Sequence, residues 1–180
     1  MDVFSHGLWS GAVYKALNIK KKKNFNVWLA AFWGVFPDLF AFTIPFVWLF
    51  WNLFTGGMRF ADFPRPEESE PPTETRFPIF NLAAHLYNFS HSLLVFSLIF
   101  GVFWWIYKQP QWELGAWLLH ILIDIPTHSY KFFPTPFLWP VSSWKFNGII
   151  WGTRWFIIAN YLLLVIVYII LYIYKRRNQN

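Results

Sequence analysis

Three long apolar segments dominate this chain and restrict it to folds that a lipid bilayer can hold. They cover residues 26–54, 79–107 and 155–174. A helix of about 20 residues crosses a hydrocarbon core of about 30 Å, so each segment is long enough to span a membrane. Charged residues make up 13% of the sequence, whereas ordinary soluble domains carry about 25%. We therefore expect an all-α, polytopic membrane protein.

The expected architecture is a single transmembrane domain over residues 1–180, a helical bundle with about four spanning helices. Residues 1–17 lack the basic start and the long apolar run of a signal peptide, and we predict a short N-terminal helix there. The fourth spanning helix is predicted over residues 112–125, a length of about 20 Å. Pro126 should end it, because proline lacks the N–H group that continues a helix.

Two connecting segments differ in composition from the helices. Residues 55–78 are rich in glycine, proline and acidic residues, which predicts an exposed loop. Residues 129–152 combine prolines with many aromatic side chains, which favours a re-entrant or interfacial loop over a helix. Within the first apolar segment, Pro37 and Pro45 should bend or break the helix.

The basic residues flank the apolar segments, and this position argues against a nucleic-acid partner although the net charge is +6. The groups at 20–23, 108 and 175–177 would all be cytoplasmic if the two loops face outside. We thus expect a multi-pass protein of the bacterial cytoplasmic (inner) membrane, with a cytoplasmic C-terminus and with membrane lipids as its partners. The absence of cysteine excludes disulfides and leaves histidine and carboxylate as metal ligands.

A few ionisable side chains lie inside the apolar segments, where burial is costly and therefore indicates a function. His120 and Asp124 are spaced i, i+4, so they share one helix face at a separation of about 6 Å. They could ligate one metal ion, or they could form a buried pair without metal. Because Pro126 disturbs the register, His128 either completes this face or lies at the interface as an ordinary polar residue.

Asp38 directly follows a proline, which suits either an ion site lined by irregular backbone or the N-cap of a new helix.

His91 lies between Ser90 and Ser92, which suggests a serine nucleophile. Neighbouring helical residues point about 100° apart, however, so we do not expect the hydroxyl and the imidazole to meet. Tyr87, one turn before His91, is the better candidate for orienting a ligand or substrate. His85 falls on a different face, and we expect it at the surface.

Four stretches occur in an order that resembles the YdjM-like family of inner-membrane proteins, known as membrane-bound metal-dependent hydrolases. They are FSHGLWSGA, VFPDLF, FSHSLL and HILIDIPTHS. The family pattern runs TH, PD, THSLL, HxxxD and a proline-rich segment. The chain departs from it before His91, where LYNF stands in place of HRG and Ser90 in place of threonine.

This resemblance implies a hydrolase that holds one or two divalent metal ions, with zinc as the expected metal. The ligands that the resemblance implies are His6, Asp38, His91, His120 and Asp124. The four-residue spacing after Asp124 adds His128 as a further candidate. Asp38 and Asp124 are also the catalytic candidates, since a carboxylate of the two that does not ligate the metal could take a proton from activated water. Candidates for binding substrate or supporting the ligands are Tyr87, Ser90 and Asp2.

The expected substrate is an ester or phosphoester that is lipidic or associated with the membrane, because the candidate ligands lie in apolar segments. Two other classes of protein remain open on the sequence. One is a non-enzymatic bundle with a buried cluster that binds or conducts ions, and the other is a structural network of buried pairs.

Overall fold

The structure, a computed structural model, describes residues 1–21, 23–62, 79–131 and 133–177. All of the elements in these ranges are helical, which confirms the all-α prediction. Most of the predicted 55–78 loop lies outside the described residues. The α-helices are α1 (Val3–Lys21), α2 (Val27–Phe54), α3 (Ile79–Ser90), α4 (Leu93–Tyr107), α5 (Gly115–Thr127) and α6 (Arg154–Arg177).

Two of the described helices, α2 and α6, are long and apolar enough to cross a membrane. The pair α3 and α4 is a third candidate if a span bent by 58° is counted as one. The described helices thus give two or three candidate spans, not the four that the sequence suggested. The difference arises at α5, whose 13 residues reach about 20 Å and fall short of a core of about 30 Å.

The apolar stretch 79–107, predicted to be one helix, is interrupted beside His91. Ser92 is the N-cap of α4, and its Oγ accepts hydrogen bonds from the N–H groups of Leu94 and Val95, each at 3.2 Å. The same hydroxyl donates to the carbonyl oxygen of Trp139 at 2.5 Å. Serine competes for backbone hydrogen bonds and thereby starts a new helix here, which explains the break.

α2 runs without interruption through both of its prolines, so a break at these positions is contradicted, whereas a bend stays a prediction. Asp38 therefore lies inside α2 and is not the N-cap of a new helix. Neighbouring helices pack against α2 on several sides, namely α1, α3 and α5. Packing of this kind lets proline persist inside a membrane helix.

α1 and α2 approach closely through small residues. A Cβ atom added to Gly34 would lie 2.7 Å from the Cβ of Ser10, and one added to Gly7 would lie 2.9 Å from the Cγ1 of Val35. Both separations are shorter than real Cβ contacts allow, so the two helices need glycine at these crossings. This close approach brings the N-terminal half of α1 beside the N-terminal half of α2.

α6 is attached to α1 by its single buried amide. The Nδ2 of Asn160 donates to the Oγ of Ser5 at 2.7 Å, and its Oδ1 accepts from the Nε1 of Trp9 at 2.8 Å. Such hydrogen bonds between membrane helices contribute about 0.6–2 kcal/mol each.

Large apolar side chains cover the outside of the described bundle. Trp28 is 86% exposed, Phe54 85% and Ile158 60%. An exposed apolar surface of this extent is typical of a protein whose surroundings are lipid.

The described residues of the segment 129–152 form no helix and are held by backbone hydrogen bonds, as expected of an ordered loop. Gly148 N–H donates to the carbonyl oxygen of His128 at 2.7 Å, and Leu93 N–H donates to that of Phe137 at 3.0 Å. The loop therefore joins the end of α5 to the start of α4. Its interfacial or re-entrant position stays a prediction.

Candidate metal centre

Four buried side chains that the sequence indicated as ligands meet in the middle of the bundle. Asp38 comes from α2, His91 from the α3–α4 break, and His120 and Asp124 from α5. One potential ligand atom from each residue lies within 4.8 Å of all the others. The fold thus brings together residues that are up to 86 positions apart in sequence, measured from Asp38 to Asp124.

The separations within this group fit a single metal ion. His91 Nε2 lies 3.0 Å from His120 Nε2, and Asp124 Oδ2 lies 3.4 and 3.1 Å from these two nitrogens. Asp38 Oδ1 lies 3.6 and 3.7 Å from them. Tetrahedral ligands about 2.1 Å from zinc are about 3.4 Å apart, so the observed values lie close to those of a zinc site.

The two imidazoles turn their Nε2 atoms toward each other because backbone carbonyls hold their Nδ1 atoms. His120 Nδ1 lies 2.7 Å from the carbonyl oxygen of Gly34, and His91 Nδ1 lies 3.2 Å from that of Tyr87. A carbonyl oxygen only accepts, so Nδ1 of His120 carries the hydrogen and its Nε2 presents a lone pair. His91 Nε2 lies 3.0 Å from that nitrogen, a separation that fits two ligands of one cation as well as a hydrogen bond between the two rings.

The two buried carboxylates also indicate a bound cation. Asp38 is 5% exposed and Asp124 is fully buried. The Oδ2 atoms of both residues lack a hydrogen-bond partner within the described part of the chain. A buried carboxylate oxygen without a partner is costly, and a bound cation would offset that cost.

A second set of groups surrounds the other oxygen of Asp124. His6 Nε2 lies 2.8 Å from Asp124 Oδ1, and His128 Nε2 lies 3.4 Å from it. The amine nitrogen of Met1 lies 2.5 Å from the same oxygen, a contact that the sequence did not suggest. Burial lowers the pKa of His6 to about 4 although the charge of Asp124 acts in the opposite direction. His6 is therefore neutral, the form that binds metals.

Tyr87 supports two of the histidines. Its ring stacks on that of His91 with the centroids 3.7 Å apart. Its hydroxyl donates to the carbonyl oxygen of Phe133 at 3.1 Å, and this oxygen is also 2.8 Å from His128 Nδ1. Tyr87 therefore holds His91 and His128 in their orientations. This position agrees with the sequence-based expectation that Tyr87 orients a ligand.

Ser90 and His91 do meet, contrary to the expectation from helical geometry. Ser90 Oγ lies 2.9 Å from His91 Nδ1. The expectation failed because α3 ends at Ser90, so the next residue no longer follows the 100° rotation of a helix. The hydroxyl lies on the Nδ1 side of the ring, opposite the nitrogen that faces the carboxylates.

One candidate, Asp2, lies away from this group, and so does His85. Asp2 accepts from the N–H of Ser5 at 3.0 Å and from the hydroxyl of Tyr161 at 2.9 Å, which makes it a cap for α1 and a link to α6. His85 is exposed, as expected.

The backbone carbonyls that orient the histidines could not be predicted from the sequence, because every residue carries one and only the fold decides which of them faces an imidazole.

A sequence model of the family described as YdjM inner membrane protein matches residues 1–179. The match confirms the resemblance that was inferred from the four motifs, and it includes every residue of the candidate centre. Comparison with curated proteins and with solved structures found no match.

Proposed function

The chain belongs to the YdjM inner membrane protein family, and on that premise we propose that it is a membrane-bound metal-dependent hydrolase. The observation that supports a metal is the spacing of Asp38, His91, His120 and Asp124, in which the two histidine nitrogens lie 3.0 to 3.7 Å from each other and from the carboxylate oxygens. Zinc is the metal that this set of nitrogen and oxygen ligands suits best.

A zinc ion held by His91, His120 and Asp124 would supply a bound water with a pKa of about 7, and Asp38 would lie beside it. The chain's own groups then have separate tasks. His91 and His120 are held rigidly by carbonyl oxygens, so they fix the position of the ion. Asp38 Oδ2 has no hydrogen-bond partner among the described residues, and we assign it the role of proton acceptor. Asp124 is the second catalytic carboxylate. Its Oδ2 lies beside the Nε2 atoms of His91 and His120, so it would hold the ion together with them.

A lipidic substrate is supported by an apolar groove next to the centre. Its volume is about 240 Å³, and it includes Ser90, whose Oγ lies 2.9 Å from His91 Nδ1. An acyl chain in this groove would lie beside the helix break that carries a ligand. We therefore propose an ester or phosphoester of a lipid as the substrate. The other residues that form the groove are mainly aromatic and include Trp33, Phe36, Phe40, Phe89 and Trp117.

The alternative is a non-enzymatic protein of the inner membrane that binds or conducts an ion through the same four residues. Its support is the burial of the ligands, since ionisable groups inside apolar helices also form ion paths.

An assay for hydrolysis of lipidic esters by the purified protein distinguishes the hydrolase from the non-enzymatic ion-binding protein. We expect protein in mild detergent, stripped with a chelator and reloaded with Zn²⁺, to cleave a fluorogenic phosphate or carboxyl ester with an acyl chain. His120→Asn should abolish this activity, whereas His85→Asn, an exposed control, should retain it. Zinc binding without cleavage of either ester would favour the ion-binding protein. An unreduced rate in His120→Asn would remove the proposed centre.

A further inference from the structure

A second cation position lies beside the first, around the other oxygen of Asp124. We infer that the Asp124 carboxylate bridges two metal ions, and that His6, His128 and Asp124 Oδ1 hold the second. This inference rests on the proposed function, because it adds a site to the same centre.

The two oxygens of Asp124 face different sets of imidazoles. Oδ2 lies 3.4 Å from His91 Nε2 and 3.1 Å from His120 Nε2. Oδ1 lies 2.8 Å from His6 Nε2 and 3.4 Å from His128 Nε2. A carboxylate placed in this way can bind one ion with each oxygen, as in centres whose two ions are about 3.5–4 Å apart.

His6 is the residue that most requires such an ion. It is fully buried, its Nδ1 has no hydrogen-bond partner in the described part of the chain, and its Nε2 lies 2.8 Å from Asp124 Oδ1. Its ring is held by stacking on His120, with the centroids 3.6 Å apart. A buried polar nitrogen without a partner is costly, and the Nε2 atom that points at Asp124 is placed to bind an ion together with that carboxylate.

His128, like His120 of the first site, has its Nδ1 atom held by a backbone carbonyl oxygen. Its Nδ1 lies 2.8 Å from the carbonyl oxygen of Phe133, which therefore accepts the Nδ1 hydrogen. Nε2 is left with a lone pair toward Asp124. This tautomer is the one that a ligating histidine adopts when its second nitrogen is fixed by a carbonyl.

The amine nitrogen of Met1 lies close to two of the proposed ligands, 2.5 Å from Asp124 Oδ1 and 2.7 Å from His128 Nε2. A zinc ion about 2.1 Å from each ligand would take its place with the amine displaced.

The test is the zinc content of protein purified in mild detergent, stripped with a chelator, reloaded with Zn²⁺ and freed of unbound metal. We expect two zinc ions per chain in the parent and in the exposed control His85→Asn. His6→Asn and His128→Asn should each retain one. Melting temperatures identify folded variants, and either histidine alone suffices if the other variant fails to fold.

One zinc ion in the parent would overturn the second site and leave the proposed function intact. No zinc in the parent would overturn both. Two zinc ions in a folded His6→Asn or His128→Asn would also overturn the second site, because its ligands would then be dispensable.

Discussion

His120 Nε2 lies 3.1 Å from Asp124 Oδ2, one turn away on the same face of α5. This pair by itself would be explained by a buried ion pair. Asp38 and His91 come from outside α5, however, and reach His120 Nε2 at 3.7 and 3.0 Å. A buried ion pair on α5 needs neither of them. Their presence favours a metal centre over an isolated buried pair.

The crossing of α1 and α2 predicts that Gly34→Ala is destabilising. The added methyl group would lie 2.7 Å from the Cβ of Ser10, and overpacking of this kind costs about 1–3 kcal/mol. Gly101→Ala in α4 is the matched control, because nothing lies within 4 Å of its Cβ position. The control should be neutral or stabilised by up to about 1 kcal/mol.

Thermal unfolding in detergent measures both glycine variants. The same melting temperature for Gly34→Ala and the parent would show that the helices can separate without cost, contrary to the packing described here.

The basic residues of α1 and α6 predict the orientation of the protein in the membrane. Lys20, Lys23 and Lys175 line one cavity, so the ends of α1 and α6 lie on the same side of the bundle. By the positive-inside rule that side is cytoplasmic. A reporter fused after residue 180 should be active only in the cytoplasm. A tag inserted within residues 65–75 should react with an impermeant reagent in intact spheroplasts. A C-terminal reporter that is active outside the cytoplasm, together with a tag in residues 65–75 that is not labelled, would show the opposite topology.

A centre with two divalent ions predicts a preference for anionic substrates. The ions carry more positive charge than Asp38 and Asp124 offset, and a phosphoester group would supply the missing negative charge. We expect kcat/KM for a lipid phosphoester to exceed that for the carboxyl ester of the same alcohol by on the order of tenfold. Equal values, measured with zinc-loaded protein and with a chelated control, would argue for a single ion.

The site was more predictable from the sequence than the path of the helices. Asp38, His91 and the His120 and Asp124 pair were identifiable because ionisable groups are rare in apolar segments. The break beside His91 was not, since it depends on a hydrogen bond from Ser92 to a carbonyl oxygen of a distant loop. The continuity of α2 through its prolines likewise depends on helices that pack around it.

The most direct test of the metal centre is the zinc content of Asp124→Asn beside that of the parent. Asparagine keeps the shape of aspartate but removes the charge that offsets the cation at both oxygens. We predict zinc binding weakened by more than about 100-fold, beyond the effect of losing a supporting hydrogen bond, with a cooperative melting transition retained. Equal zinc in both proteins, or no zinc in the reloaded parent, would contradict a metal centre at Asp124.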